Sequence, residues 1–174
     1  VKERTPRFDG TLLDNLVDYL TFVFVPAWVV SLEAVVPAEW GMPLAVGMLL
    51  ASAYGFSHKD AKTDDHFFSG FPSYWNIVAF YLYTLGMPAT VNGVMVGGLV
   101  VLVLVPVGFV YPSRTPTLRG LTLFGGTIWA VAMLVAAWTF DGGVSQVARW
   151  SMAYPIYYIG LSVVLNARRG VGDN

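Results

Sequence analysis

An all-α, polytopic transmembrane helix bundle is the fold this sequence predicts, on three observations. Of the 174 residues, 56% are hydrophobic and 12% charged, with a mean hydropathy of +0.61, a composition well outside the soluble globular range. The apolar residues gather into six stretches, each near the roughly 20 residues a helix needs to cross a hydrocarbon core of about 30 Å. Lys and Arg fall, with one exception, in the connections on one side of the six-span arrangement, as they do in cytoplasmic loops.

The spans are expected at about 12–32, 40–57, 72–88, 91–111, 119–140 and 146–166. A closed barrel would need alternating strands, whereas "VMVGGLVVLVLVPVGFV" (94–110) is apolar on every face, so helices are the reading taken. Pro26, Pro106 and Pro155 fall inside spans and mark expected kinks. Lys2, Arg4 and Arg7 precede the first span, Lys59 and Lys62 follow the second, Arg114 and Arg119 follow the fourth, and Arg168 and Arg169 follow the sixth. The opposite connections carry Glu33, Glu39 and Asp141, and the exception, Arg149, sits about one turn inside the outer end of the last span. With no repeat and no low-complexity linker, residues 1–174 read as one transmembrane domain.

Other classes fall away on composition. Ten Lys and Arg against eleven Asp and Glu give a net charge of -1, so no nucleic-acid footprint is present. The absence of Cys removes disulfides and thiolate metal sites. The chain opens on Val1 rather than Met, and an upstream segment is expected.

The chemistry lies in "GTLLDNLVD", residues 10–18, where Gly10, Asp14 and Asp18 are spaced i, i+4, i+8 on one helical stripe. Acids in a first helical turn can simply favour the helix dipole, which serves Asp9 well and Asp14 tolerably. Asp18 lies more than a turn further in, followed by "YLTFVFVPAWVV", where an unpaired acid costs about 3 kcal/mol to insert. Two carboxylates one turn apart suit hard divalent cations such as Mg²⁺ or Mn²⁺. They cannot fill an octahedral shell, so further ligands must come from elsewhere or from a substrate phosphate. Gly10, without a side chain, lets a phosphate approach the helix backbone. Intramembrane acids also mark ion paths, so a cation-coupled transporter is the competing class, although later spans hold no matching acidic pair. A purely structural scaffold leaves the embedded acids without a reason.

At these residues the pattern G-x-x-x-D-x-x-x-D resembles the second half of the signature of the CDP-alcohol phosphotransferase family. Three stretches, "VKERTPRFDGTLLDNLVDY", "DAKTDDHFFSGFPSYWN" and "YPSRTPTLRGLTL", are similar to its bacterial phosphatidylcholine synthase branch along almost the whole chain. The first half of the signature, D-x-x-D-G-x-x-A-R, does not occur in residues 1–174. The resemblance implies that it lies upstream of Val1, with about eight spans in the full-length protein, further metal ligands there, and either a longer gap between the halves than in many relatives or an altered site.

The resemblance further implies two Mn²⁺ or Mg²⁺ ions on the diphosphate of CDP-diacylglycerol, CMP as leaving group, and choline as the attacking alcohol, with serine as the alternative acceptor. Asp14 falls on a metal-ligand position, Asp18 on the position of ligand and general base, and Gly10 on the glycine against which the nucleotide lies. Membrane lipids and a homodimer are the other partners implied. So is a multi-pass location in the bacterial cytoplasmic (inner) membrane, with the active site facing the cytoplasm.

Choline's quaternary ammonium offers no hydrogen-bond donor and is held by aromatic faces, often beside a carboxylate. "SHKDAKTDDHFFSGFPSYW" supplies both, with Tyr74, Trp75, Asp64 and Asp65 as candidates. Aromatic residues also belt membrane interfaces, and Tyr54, Tyr81 and Tyr83 are equally available from spans. His58 and His66 do not have a metal-ligand spacing and read as a solvated loop. Arg114 and Arg119 are candidates for a phosphate of the lipid nucleotide, with anchoring to anionic headgroups as the equal alternative.

Overall fold

The structure, a computed structural model, describes residues 9–58, 63 and 67–172. Asp64 and Asp65, the acidic candidates for choline, lie outside the described residues, as do His66 and the basic residues Lys2, Arg4, Arg7, Lys59 and Lys62.

The first apolar stretch is a continuous helical rod in three segments: α1 (Gly10–Asp18), a π-helical segment (Tyr19–Phe24) and α2 (Val25–Leu32). Asp9 starts it, its Oδ1 accepting from the backbone N–H of Thr11 at 3.0 Å and of Leu12 at 3.1 Å, which satisfies two of the donors a helix start leaves unpaired. The π segment has a local cause. Pro26 has no N–H to return to the carbonyl of Phe22, and the helix widens just before it, the N–H of Val25 donating to Leu20 five residues back. The kink expected at Pro26 thus takes the form of a π bulge.

Helix α3 (Ala38–Ser57) packs on α2 and on α5 (Ala89–Leu104). Val23, Ala27 and Val30 from the first rod meet Ala45, Met48 and Ala51 of α3 and Val96 and Val103 of α5 in the main core. Small residues allow the close approach. Gly93 leaves the space into which the Trp40 ring inserts, where a Cβ would collide with it. Asn92, almost fully buried, donates its side-chain N–H to the carbonyl of Val35 at 2.7 Å and ties α5 to the α2–α3 connection.

Two expected spans come out shorter. Helix α4 (Trp75–Thr84) has 10 residues where 72–88 was expected, about 15 Å of rise. Pro72 and Ser73, the latter at φ +56°, precede it, and Gly86 at φ +64° and Pro88 follow it, so the backbone turns at both ends. The helix of the fourth expected span ends at Leu104 instead of 111, because Val105 is extended before Pro106. Pro106 is therefore a terminator, not a kink. Beyond it, β2 (Gly108–Val110) pairs antiparallel with β1 (Phe67–Ser69), in register Phe67 with Val110, Phe68 with Phe109 and Ser69 with Gly108. This small sheet is the departure from an all-α fold. All three β2 residues are buried, so its sequence is uniformly apolar and indistinguishable by periodicity from the helix before it.

Helix α6 (Arg119–Trp138) begins where expected, after Leu118 at φ +53°. The sixth stretch is split into α7 (Gln146–Ser151) and α8 (Ala153–Gly172). Pro155 cannot donate to the carbonyl of Ser151, so the break falls at Met152 and Pro155 sits in the first turn of α8, where a missing N–H matters little. The hydroxyl of Tyr81 joins this region, sharing a hydrogen bond with Ser151 Oγ at 2.7 Å and accepting from Trp129 Nε1 at 2.8 Å. Helix α8 closes the free edge of β2: Gly108 N donates to Asn166 Oδ1 at 2.9 Å, Val110 N to Ser162 Oγ at 3.1 Å, and Tyr158 OH to the carbonyl of Val110 at 2.9 Å. An apolar edge strand is thereby satisfied by side chains.

Among the described residues two helices are long and apolar enough to cross a membrane, Gly10–Leu32 with hydropathy 1.5 and Arg119–Trp138 with 1.8. Helix α6 turns Leu121, Phe124, Ile128, Val131 and Leu134 outward along its length, an apolar face larger than a water-facing surface carries.

Candidate active site

One end of the bundle gathers α1, the last turn of α3, the last turn of α5 and the β1–β2 pair around a cavity of about 500 Å³. Arg119 at the start of α6 and Arg169 near the end of α8 belong to this same end. Arg119 comes after the connection from β2, and Arg169 lies 4.3 Å over the Phe67 ring.

The first wall is a stripe of the opening helix: Thr11, Asp14, Asn15, Asp18 and Phe22 all line the cavity, at the offsets of 3, 4 and 7 that one helical face requires. Asp14 is exposed and Asp18 half-buried. Neither carboxylate has a hydrogen-bond or ion-pair partner among the described residues. Helix α1 buries no side chain, so the remainder of the rod holds this wall in place. Val23, Ala27 and Val30 seat the rod on α3, and Tyr19 OH donates to the carbonyl of Leu49 at 2.9 Å, directly behind Asp18.

The facing wall is aromatic. Phe68 of β1, Phe71, Tyr74 and Tyr111 line the cavity, and strand pairing brings them together: Phe68 lies opposite Phe109, with Tyr111 diagonal on the same face. Phe68 and Tyr111 have ring centroids 4.6 Å apart, and Tyr74 stands edge-on to both Phe68 at 6.4 Å and Phe71 at 6.5 Å. The turn that carries Phe71 and Tyr74 is strained into place. Gly70 adopts φ +82° and passes so close to α5 that a Cβ would collide with the carbonyl oxygen of Val103. Its N–H donates to Val107 at 2.9 Å, and that of Phe71 to Leu102 at 3.0 Å. Ser73, buried at φ +56°, is a non-glycine residue held in the left-handed region at the cavity.

Substituting Gly70→Ala is therefore expected to destabilise the fold by at least about 1–2 kcal/mol from the backbone alone, plus the displacement at Val103. A thermal melt of the detergent-solubilised protein reads this as a lower midpoint. An unchanged midpoint would mean the β1 corner does not have this geometry.

Among the sequence candidates, Asp14, Asp18 and Tyr74 share the cavity. Gly10 is the first residue of α1, and Thr11 beside it takes the lining position. Trp75 needs correction: it is fully buried in the main core, its ring 5.2 Å from Phe71 and its Nε1 donating to Ser52 Oγ at 2.8 Å, so it stands behind the aromatic wall. Arg114 and Arg119 are exposed and outside the lining. Tyr81 belongs to the second core, and Tyr83 borders a separate, largely apolar cavity of about 380 Å³. The Tyr54 ring lies tilted at 54° against that of His58, 5.4 Å away, and His58 does line the site. The residues that sequence reasoning missed are Phe68 and Tyr111, because their meeting depends on a strand pair with no periodicity signal.

The donor set can be tested against a divalent cation. Asp14 and Asp18 present hard oxygen donors, with the amide of Asn15 and the hydroxyl of Thr11 beside them. Among the described residues no group of three or more His, Cys, Asp or Glu forms. The pair thus fits part of a coordination shell that a phosphate-bearing ligand would help complete.

No family model matches the chain, and no solved structure matches it. Among curated proteins, the phosphatidylcholine synthase of Legionella pneumophila is 45% identical over 115 residues, 66% of this chain and 45% of that protein. That of Borreliella burgdorferi is 38% identical over 123 residues, 71% of this chain and 53% of its own length. The chain spans about half the length of these relatives. The match to the Pseudomonas aeruginosa phosphatidylcholine synthase runs 175 residues at 33% identity, over 99% of this chain and 72% of that protein. With that end-to-end match and an acidic stripe facing an aromatic wall in one cavity, the chain belongs to the phosphatidylcholine synthase family.

Proposed function

We propose that the protein transfers the phosphatidyl group of CDP-diacylglycerol to choline and releases CMP. The observation that carries this reading is one shared cavity in which two carboxylates without partners among the described residues, Asp14 and Asp18, face a wall of aromatic rings, in a chain of this family. Asp18, half-buried at the end of α1 and braced by Tyr19, takes the proton from the choline hydroxyl. The hydroxyl oxygen bonds to the phosphorus that bears diacylglycerol, the bond from that phosphorus to the bridging oxygen breaks, and CMP departs with its electron pair. Asp14 and Asp18 would hold Mn²⁺ or Mg²⁺, the rest of the shell being left to substrate oxygens and to side chains beyond these two. When bound, such an ion supplies positive charge against the diphosphate and the leaving group.

The same reading places six spans of this chain in the bacterial inner membrane, with the cavity at the cytoplasmic face. Support comes from the basic residues: Arg114 follows closely on Tyr111 of the cavity wall, Arg119 opens α6 just after it, and Arg169 lies over the ring of Phe67 in β1. The shorter α4, flanked by turns at both ends, crosses in this arrangement only together with those turns.

The test is made on membranes carrying the full-length protein, supplied with CDP-diacylglycerol and either labelled choline or labelled serine, with Mn²⁺ or with EDTA. Labelled phosphatidylcholine and CMP in equal amounts, abolished by EDTA, is the expected result. Label from serine without label from choline would overturn the acceptor, and no CMP with either alcohol would overturn the reaction.

A further inference from the structure

Resting on choline transfer as proposed above, we infer that Phe68, Tyr74 and Tyr111 form the seat of the trimethylammonium group and set the preference for choline. The rings come from three separate places in the chain: strand β1, the residue preceding α4, and the residue after β2. They converge because β1 pairs with β2. Phe68 stands between the other two, 4.6 Å from Tyr111 and 6.4 Å from Tyr74, the latter at 84°, so the rings form adjoining walls instead of one flat stack.

The chemistry matches the two ends of choline. Its nitrogen carries no proton, so the site needs ring faces and nearby negative charge, not hydrogen-bond acceptors. Its hydroxyl is two carbons away, so cation and reacting oxygen must fit in one chamber. The aromatic wall and the carboxylates of Asp14 and Asp18 share the same cavity. A primary ammonium would leave N–H donors facing hydrocarbon rings, and serine would add a carboxylate beside Asp14 and Asp18. Both features select the quaternary cation.

Trp75, a candidate for such a cage from the sequence, is fully buried and stands outside the cavity lining. Phe71 also lines the cavity and joins the wall to the core, its ring set against Trp75 at 5.2 Å and Phe109 at 6.2 Å.

The experiment measures steady-state kinetics of the full-length protein in membranes for wild type, Phe68→Leu, Tyr111→Leu and Tyr111→Phe, with tetramethylammonium as a competitor that carries the cation without the hydroxyl. The leucine variants are expected to raise KM for choline about tenfold or more, and to weaken competition by tetramethylammonium equally, a shift that one lost desolvated ring face supports. KM for CDP-diacylglycerol should stay within about twofold, and Tyr111→Phe, which keeps the ring face, should raise KM for choline far less than Tyr111→Leu does. An unchanged KM for choline in both leucine variants, with phosphatidylcholine still made, would overturn the seat and leave the reaction standing. So would a Tyr111→Phe variant as impaired as Tyr111→Leu, since the hydroxyl and not the face would then matter. Wild type that makes no phosphatidylcholine would instead remove the reaction on which the inference rests. If the leucine variants fail to accumulate, Phe68→Tyr replaces them: retained choline KM supports a ring face at that position, and a tenfold rise counts against it.

Discussion

Asp18→Asn, introduced into the full-length protein, is expected to lower the rate of phosphatidylcholine formation about 10²- to 10⁴-fold, the range associated with losing a positioned acid–base group. Asparagine keeps the volume of the side chain and its place on the α1 stripe, but it cannot accept the hydroxyl proton and is a poorer partner for a hard cation. The fold has no reason to suffer. Helix α1 buries no side chain, and the Asp18 carboxylate has no hydrogen-bond or ion-pair partner among the described residues, so the thermal midpoint in detergent should match wild type. Asp14→Asn should act in the same direction and should raise the Mn²⁺ concentration needed for half-maximal rate. A variant that keeps wild-type activity at position 18 would dismiss Asp18 as the base. Choline accumulation in sealed vesicles without CMP release, lost in the same variant, would turn the reading toward transport.

Trp75→Ala should do the opposite: a large loss of stability, with activity falling because the protein unfolds. The indole is fully buried between α3 and the aromatic wall, and its N–H is paired with Ser52 Oγ. Truncating a core Trp costs about 3–5 kcal/mol through lost burial and the void left behind, a large share of a typical domain's stability. Trp75→Phe isolates the polar part, keeping most of the ring while leaving Ser52 Oγ without its donor, at about 1–3 kcal/mol. Thermal melts of both variants check this. A full-stability Trp75→Ala protein with a raised KM for choline would return Trp75 to the cage from which its burial removes it.

The helical character of the chain and the place of its acids could be read directly because both depend on local spacing. Apolar runs predict the rods Gly10–Leu32, Ala38–Ser57 and Arg119–Trp138 within a few residues, and an i, i+4 interval puts Asp14 and Asp18 on one face of whatever helix contains them. Prolines were visible as interruptions, but not the form each would take. Pro26 yields a π bulge, Pro106 a helix end and Pro155 a first-turn residue, because neighbouring residues and packing choose among the ways of coping with a missing N–H.

What tertiary structure alone decided is which aromatics face the acids. Phe68 and Tyr111 are far apart in the chain, and they meet only after α5 stops at Leu104, the backbone turns at Pro106, and β2 finds β1 under the cover of α8. Trp75, one residue from Tyr74, points the other way into the core because Ser52 of α3 and Phe71 wait there. Composition could say that rings were plentiful. Sorting them into cavity wall and core required long-range contacts, whose partners no local period encodes.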